Sequence, residues 1–308
     1  MLENNSKNGI STIVHFGCLS DEQRWHAYRY NWEWLKELDD NDRSLIELLD
    51  CLSEGEYSGQ ASSVQFHDLL LTEIKENYPT DRKNDWGQLL AYVNIIAYEE
   101  MRHGISLSTA YHYVKTGDLN YIEKLSTQDY SKKYVWCYNE RKYWDLYSYT
   151  FAHLFGEVVN TELYRDLRAQ VHHPKLQELI TNIMKDEARH TQAWLAIIND
   201  LIKSHDYHLE RSLKTIDIGL TYHNAMVHET YFEGQNKLMN LFLPAKRGEG
   251  AIDRIVKKKK YIMDHIFGEH NPYSEQEIKE QHVNFLIKGI GKNRAIYSPN
   301  ELDNIKFL

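Results

Sequence analysis

Apolar residues recur at three- and four-residue intervals over long stretches of the chain, the spacing of helices that bury one face. Four stretches predict the main body. The first covers 64–78 and stops at Pro79; the second covers 85–116, opened by Asp85 and closed by Gly117. The third covers 135–171, before His172-His173-Pro174, and the fourth covers 175–204. A short amphipathic helix is expected at 43–52, and another helix at 206–243, before Pro244. Residues 53–63, rich in Gly and Ser, read as a loop, and 118–134 as a polar connection. Residues 1–20 read as a loose arm, and 21–38 as a segment that packs Trp25, Trp32 and Trp34 onto the bundle. After a loop at 245–250, Lys257 to Lys260 read as the solvated face of a helix, or as a docking spot for an acidic carrier. Residues 268–308 read as a short helix and a polar tail.

Only five Pro and 15 Gly punctuate 308 residues, which fits a mostly helical chain. A formal charge of −9 argues against a general nucleic-acid binder. Cys18, Cys51 and Cys137 are odd in number and contain no C-x-x-C pair, so no disulfide framework or zinc site is suggested and a reducing cytoplasm is expected. No stretch is apolar enough to span a membrane, and the short run Ile10 to Phe16 does not make a signal peptide.

Two short stretches carry the chemistry. Glu99-Glu100-Met101-Arg102-His103 and Asp186-Glu187-Ala188-Arg189-His190 share the pattern acid-Glu-x-Arg-His. Glu at i and His at i+3 project from one helix face, offering a metal an oxygen and a nitrogen side by side. A lone Glu-x-x-His is weak evidence; two copies of the longer pattern are far rarer by chance. Two such pairs plus a Glu from each of two further helices make the di-iron carboxylate site of four-helix bundles. The fold expected is therefore an all-α, ferritin-like four-helix bundle with additional N- and C-terminal helices. It forms one domain over 1–308, with its core at 64–204, an arm at 1–63 and an extension at 205–308.

The remaining carboxylates are sought by depth along the bundle. Glu157 and Glu187 lie at similar distances before and after Pro174, so an antiparallel hairpin brings them level. Glu162 also passes that test, but Glu157 sits among Phe155, Gly156, Val158 and Val159, whereas Glu162 lies on a more polar stretch. For the first helix, Glu73 is the candidate and Glu76 its substitute. Glu73 is a poor depth match to Glu100, and an extended 79–84 segment must make up roughly 13 Å. Asp186 and Glu99 would each accept the free N–H of the His on the opposite helix, with Arg102 and Arg189 balancing the acids. His223, His228 and Glu229 do not repeat the motif and read as structural.

At Glu-Glu-Met-Arg-His-Gly (99–104) and Asp-Glu-Ala-Arg-His (186–190) the chain resembles the soluble acyl-carrier-protein desaturases, the type 2 fatty-acid desaturases. Asp68-Leu-Leu-Leu-Thr-Glu73 is similar to that family's first ligand helix, and Phe155-Gly156-Glu157 to its third; the similarity covers about 64–200. The resemblance implies Glu73, Glu100, His103, Glu157, Glu187 and His190 as ligands of two iron ions. It implies O2 as co-substrate and an external electron donor such as a ferredoxin. It also implies an electron route through Trp32, Asp186 and His103. The family has a Thr near the oxygen site one turn after the third ligand Glu; here that place is Asn160, with Thr161 beside it.

The expected function is an O2-dependent oxidoreductase, a desaturase or hydroxylase acting on an unactivated C–H bond of an acyl or other aliphatic substrate. The substrate would sit on an acyl carrier protein or be free, and the protein would be a homodimer. The alternatives are a di-iron N-oxygenase or C–C cleaving oxygenase, and a non-catalytic metal-binding bundle. Leu107 stands where a ribonucleotide reductase small subunit has its radical Tyr. Ile183 stands where arylamine N-oxygenases have an extra His.

Overall fold

The computed structural model describes residues 9–75, 83–120, 145–221 and 250–282. The described residues are all-α. The α-helices are α1 (Gly9–Glu22), α2 (Asp40–Lys75), α3 (Lys83–Thr116), α4 (Leu146–Arg168), α5 (Pro174–Ser204), α6 (Asp206–Thr221) and α7 (Gly250–Phe267). Short 3-10 turns at Ala27–Arg29, Trp32–Glu37 and Gly268–His270 link or extend them. No helix among these residues is long and apolar enough to cross a membrane.

Local chemistry explains the boundaries. Gly117 closes α3 at φ 74°, a left-handed geometry that costs an L side chain strain, and its N–H donates to Tyr113 O. Asp145 and Ser148 form a reciprocal capping box at the start of α4. Pro174 occupies the first turn of α5, where its missing N–H costs nothing, and His173 caps it. The buried Asp42 carboxylate accepts the N–H of His172 (2.9 Å) and of His173 (2.7 Å), tying the start of α2 to the α4–α5 turn.

Helices α2 to α5 form the bundle, and α1, α6 and α7 pack around it. Two apolar layers fill it. One joins Ile46, Leu49 and Leu52 of α2 to Leu107 and Ala110 of α3, Leu163 and Leu167 of α4, and Leu176, Leu179 and Ile183 of α5. The other joins Phe66 and Leu70 to Trp86, Leu89 and Tyr92, then to Leu146, Phe151 and Phe155, and to Trp194, Ile197 and Leu201. The start of α2 thus lies beside the ends of α3 and α4 and the start of α5. Helices α3 and α4 run in the same direction, the one-crossover arrangement of ferritin-like bundles.

Three expectations change, the first at the arm expected over 1–20: Gly9–Glu22 is a helix, α1, that packs against α3 and α5. Residues 53–63 are not a loop: α2 runs unbroken from Asp40 to Lys75. The apolar stripe before them (Ile46, Leu49, Leu52) and after them (Phe66, Leu70) stays in phase. Burial of the whole stripe outweighs the few Gly and Ser between. The run Lys257 to Lys260 is not one solvated face. Lys259 is fully buried, with its ammonium 5.5 Å from the Phe155 ring, and burial depresses its pKa to about 7. Lys258 bonds Glu162 at 2.5 Å. The helix expected at 206–243 is described over Asp206–Thr221; its remainder, with His223, His228 and Glu229, lies outside the described residues.

Candidate metal centre

Between the two apolar layers the stripe of each bundle helix turns polar. Glu56 comes from α2, Glu100 and His103 from α3, Glu157 from α4, and Glu187 and His190 from α5, all buried. Their donor atoms form two overlapping groups, Glu56–Glu100–His103–Glu187 and Glu100–Glu157–Glu187–His190, each within a 4.8 Å span. Glu100 and Glu187 belong to both. His103 Nδ1 lies 3.2 Å from Glu56 Oε2 and 3.4 Å from Glu187 Oε1. His190 Nδ1 lies 3.1 Å from Glu100 Oε1 and 3.6 Å from Glu157 Oε1.

An outer layer orients the imidazoles. His103 Nε2 sits 3.0 Å from Asp186 Oδ2, and His190 Nε2 sits 2.8 Å from Glu99 Oε2. Each acid therefore takes the Nε2–H of the His on the opposite helix and leaves Nδ1 facing the centre, as the sequence suggested. Arg102 donates to Asp186 (2.6 Å), and Arg189 to Glu99 (2.6 Å) and Asp186 (2.8 Å). Two Arg against two acids leave this layer neutral. The inner carboxylates, four in number, then match two divalent cations in charge.

Proton affinities follow. Burial, then the charges of neighbouring carboxylates, pushes Glu100 and Glu187 well above the usual carboxylate range. Burial opposes charge on His103 and His190, but their bonds to the surrounding acids outweigh it and raise both well above the usual range. Glu99 is held down to about 2: burial would raise it, but His190 and Arg189 more than compensate. Asp186 is lowered in the same way by His103, Arg102 and Arg189.

The donor set fits a pair of metal ions. Glu100 Oε1, both Glu187 oxygens and His190 Nδ1 are buried and face only one another and their fellow cluster residues, with no hydrogen-bond partner among the described residues outside the cluster. Such atoms are costly to leave unpaired unless something binds there. Carboxylate-rich coordination with one imidazole per ion suits iron or manganese.

Of the sequence-derived ligands, Glu100, His103, Glu157, Glu187 and His190 come together. Glu73 does not. It is buried roughly 25 Å farther along α2 and accepts a hydrogen bond from Tyr207 at 3.3 Å. Glu56 takes its place, and because Glu56 and Glu100 stand at similar distances from the α2–α3 connection, the depth mismatch disappears. Glu76 lies outside the described residues. Glu162 is buried but is held by Arg165, Arg254 and Lys258 on the outer side of α4.

Trp32 is also displaced. Its indole donates to Ala27 O at 3.2 Å. Trp25 instead donates to Asp186 Oδ2 at 2.8 Å and stacks on His103, with planes 7° apart and centroids 6.0 Å apart. Arg102 lies 4.6 Å over the Trp25 ring. Thr161 spends its hydroxyl on Glu157 O, 2.8 Å away, and Asn160 is half-buried; neither side chain hydrogen-bonds a ligand carboxylate. Two contacts had no sequence signal. The phenol of buried Tyr164 donates to Glu56 Oε1, and Ser20 of α1 donates to Glu99 Oε1 at 2.6 Å.

A third acid–His group, Asp39–Asp42–His172, has its oxygens committed to capping. Asp42 holds two backbone N–H groups, and Asp39 accepts from Asp42 N and faces His172 Nδ1, each at 2.8 Å. Comparison with protein-family models, with curated proteins and with solved structures yields no match.

Proposed function

We propose that this chain is a non-haem di-iron, O2-dependent oxidoreductase of the desaturase or hydroxylase type, acting on an acyl or other aliphatic substrate. The observation that carries this reading is the pair of overlapping donor sets sharing Glu100 and Glu187, each with one inward-facing imidazole, buried between two apolar layers of the bundle. The twin motifs that resemble the acyl-carrier-protein desaturases point the same way. Two iron ions held there would supply reduction of O2 and attack on an unactivated C–H bond, chemistry that no side chain performs.

The chain's own residues would do the rest. Glu56 and His103 would hold one ion, Glu157 and His190 the other, with Glu100 and Glu187 shared. Asp186 and Glu99 would fix the imidazole tautomers, and Arg102 and Arg189 would keep both acids ionised. Trp25, partly exposed on one side and stacked on His103 on the other, would take electrons from an external donor protein such as a ferredoxin. Phe66, Phe155 and Trp194 would keep water from the reacting carbon. Desaturation would remove two hydrogens from the substrate, consume two electrons and two protons from outside, and release two waters per O2.

The test is O2 uptake by the iron-loaded protein given a reductant and candidate acyl or acyl-carrier substrates, beside Glu187→Ala. Substrate-dependent uptake lost in the variant supports the enzyme. Two irons per chain with no substrate-dependent uptake across the panel would leave a metal-binding bundle instead.

A further inference from the structure

The two halves of the centre are related by an approximate twofold, yet their surroundings differ. Glu56 pairs with Glu157, Glu100 with Glu187, His103 with His190, and Asp186 with Glu99. Tyr164 breaks the symmetry. It stands two turns beyond Glu157 on α4 and donates its phenol O–H across the bundle to Glu56. The equivalent place on α2, two turns beyond Glu56, is Ser63, whose hydroxyl stands on a far shorter side chain. Among the described residues, the Glu157 carboxylate meets only fellow ligands, His190 and Glu187. Trp25 adds to the difference by lying flat against His103; no described ring stacks on His190 in that way.

Accessibility divides along the same line. The Glu56 side chain is 2% exposed, and those of His103, Glu187 and His190 are 0% exposed. Glu157 is 6% exposed and Glu100 11%. Of the two carboxylates that the halves do not share, Glu157 is the more exposed and Glu56 the less.

We propose that the halves are functionally unequal: Tyr164 pins Glu56 and closes the Glu56–His103 half to exogenous ligands, while the Glu157–His190 half admits them. One bond of a carboxylate to a buried phenol fixes which oxygen is turned inward. A carboxylate held only by fellow ligands is free to swing and vacate a coordination position. Tyr164 is thus a positioning residue, and Glu157 is the ligand that moves. The proposal rests on the paired metal site proposed above.

Nitric oxide is a suitable probe, because it binds ferrous ions at open positions and gives a distinct paramagnetic signal. The full chain is loaded anaerobically with Fe(II), its iron is counted, and nitric oxide is titrated against the signal. The expected result is two irons and one nitrosyl per chain in the wild type. Tyr164→Phe keeps the ring and removes the pinning hydroxyl, so it should retain two irons and rise towards two nitrosyls. Glu56→Asp draws the carboxylate away from the phenol and gives the same release by a second route, should the first variant fail to fold. Two nitrosyls in the wild type, or none, overturn the inequality while leaving the paired site intact. A single nitrosyl retained in the folded variants overturns the role of Tyr164. Failure of the wild type to take up two irons overturns the paired site itself, and this proposal with it.

Discussion

Replacing Glu56 by Ala separates the site described here from the one that the first ligand helix suggests by resemblance. Among the described residues, Glu56 supplies the only carboxylate that the His103 half does not share with the other half. Without it, His103 Nδ1 faces Glu187 Oε1 at 3.4 Å and Glu100 Oε2 at 4.0 Å, both needed by the second ion as well. Loss of a group that only orients a ligand costs about 10- to 100-fold in metal affinity, so loss of a ligand should cost at least about 100-fold. Anaerobic Fe(II) titration should fall from about two irons per chain to about one. Glu73→Ala is the matched control. It deletes an acceptor for the Tyr207 hydroxyl near the far end of α2 and should cost about 1–3 kcal/mol in stability, read by thermal unfolding, with both irons retained. The reasoning is refuted if Glu73→Ala loses iron while Glu56→Ala keeps two.

Three further outcomes follow from the same geometry. Glu100, Glu187, His103 and His190 all have raised folded-state pKa values. They therefore favour the metal-free fold at low pH, and that contribution is lost as pH climbs past the ordinary values of 4.5 and 6.5. The metal-free protein should lose thermal stability on going from about pH 5 to about pH 8, and iron loading should release protons and tighten over that range, as calorimetry in buffers of different ionisation heat would register; pH-independent loading would refute the assignment. Trp25→Phe keeps the stacked ring but removes the N–H to Asp186, so reduction of the ferric protein by an external donor should slow by about tenfold in stopped-flow absorbance, with iron content unchanged; Trp32→Phe should leave the rate alone. Arg189→Ala strands two buried carboxylates, Glu99 and Asp186, with Arg102 alone, and should lower stability by about 3–5 kcal/mol in denaturant unfolding, where a loss under about 1 kcal/mol would contradict the buried ion-pair network.

The helical class, the α3–Gly117 and Pro174–α5 boundaries, and the pairing of Glu99-Glu100/His103 with Asp186-Glu187/His190 were all legible in the chain itself. The physical reason is that each is a local matter. Helix periodicity, a left-handed Gly, a Pro at a first turn, and an i,i+3 pair on one face need no knowledge of the rest of the fold. Even the crossed bonds from Asp186 to His103 and from Glu99 to His190 follow once two such turns face each other.

What local pattern left open was which carboxylate of α2 stands level with the other helices, and which aromatic residue reaches the centre. Gly and Ser at 53–63 weaken a helix in isolation by amounts that the buried stripe of a 36-residue helix overrides, so Glu56 was hidden within an expected loop. The mismatch in depth between Glu73 and Glu100 was the one trace of it in the sequence. Trp25, Ser20 and Tyr164 arrive from the N-terminal segments and from two turns along α4, and neither spacing nor composition encodes those approaches. Residue types that could hold a metal are written in the chain. Their register along the bundle axis, and the side groups that make one half of the centre tighter than the other, exist only once four helices are packed and their buried polar atoms must find partners.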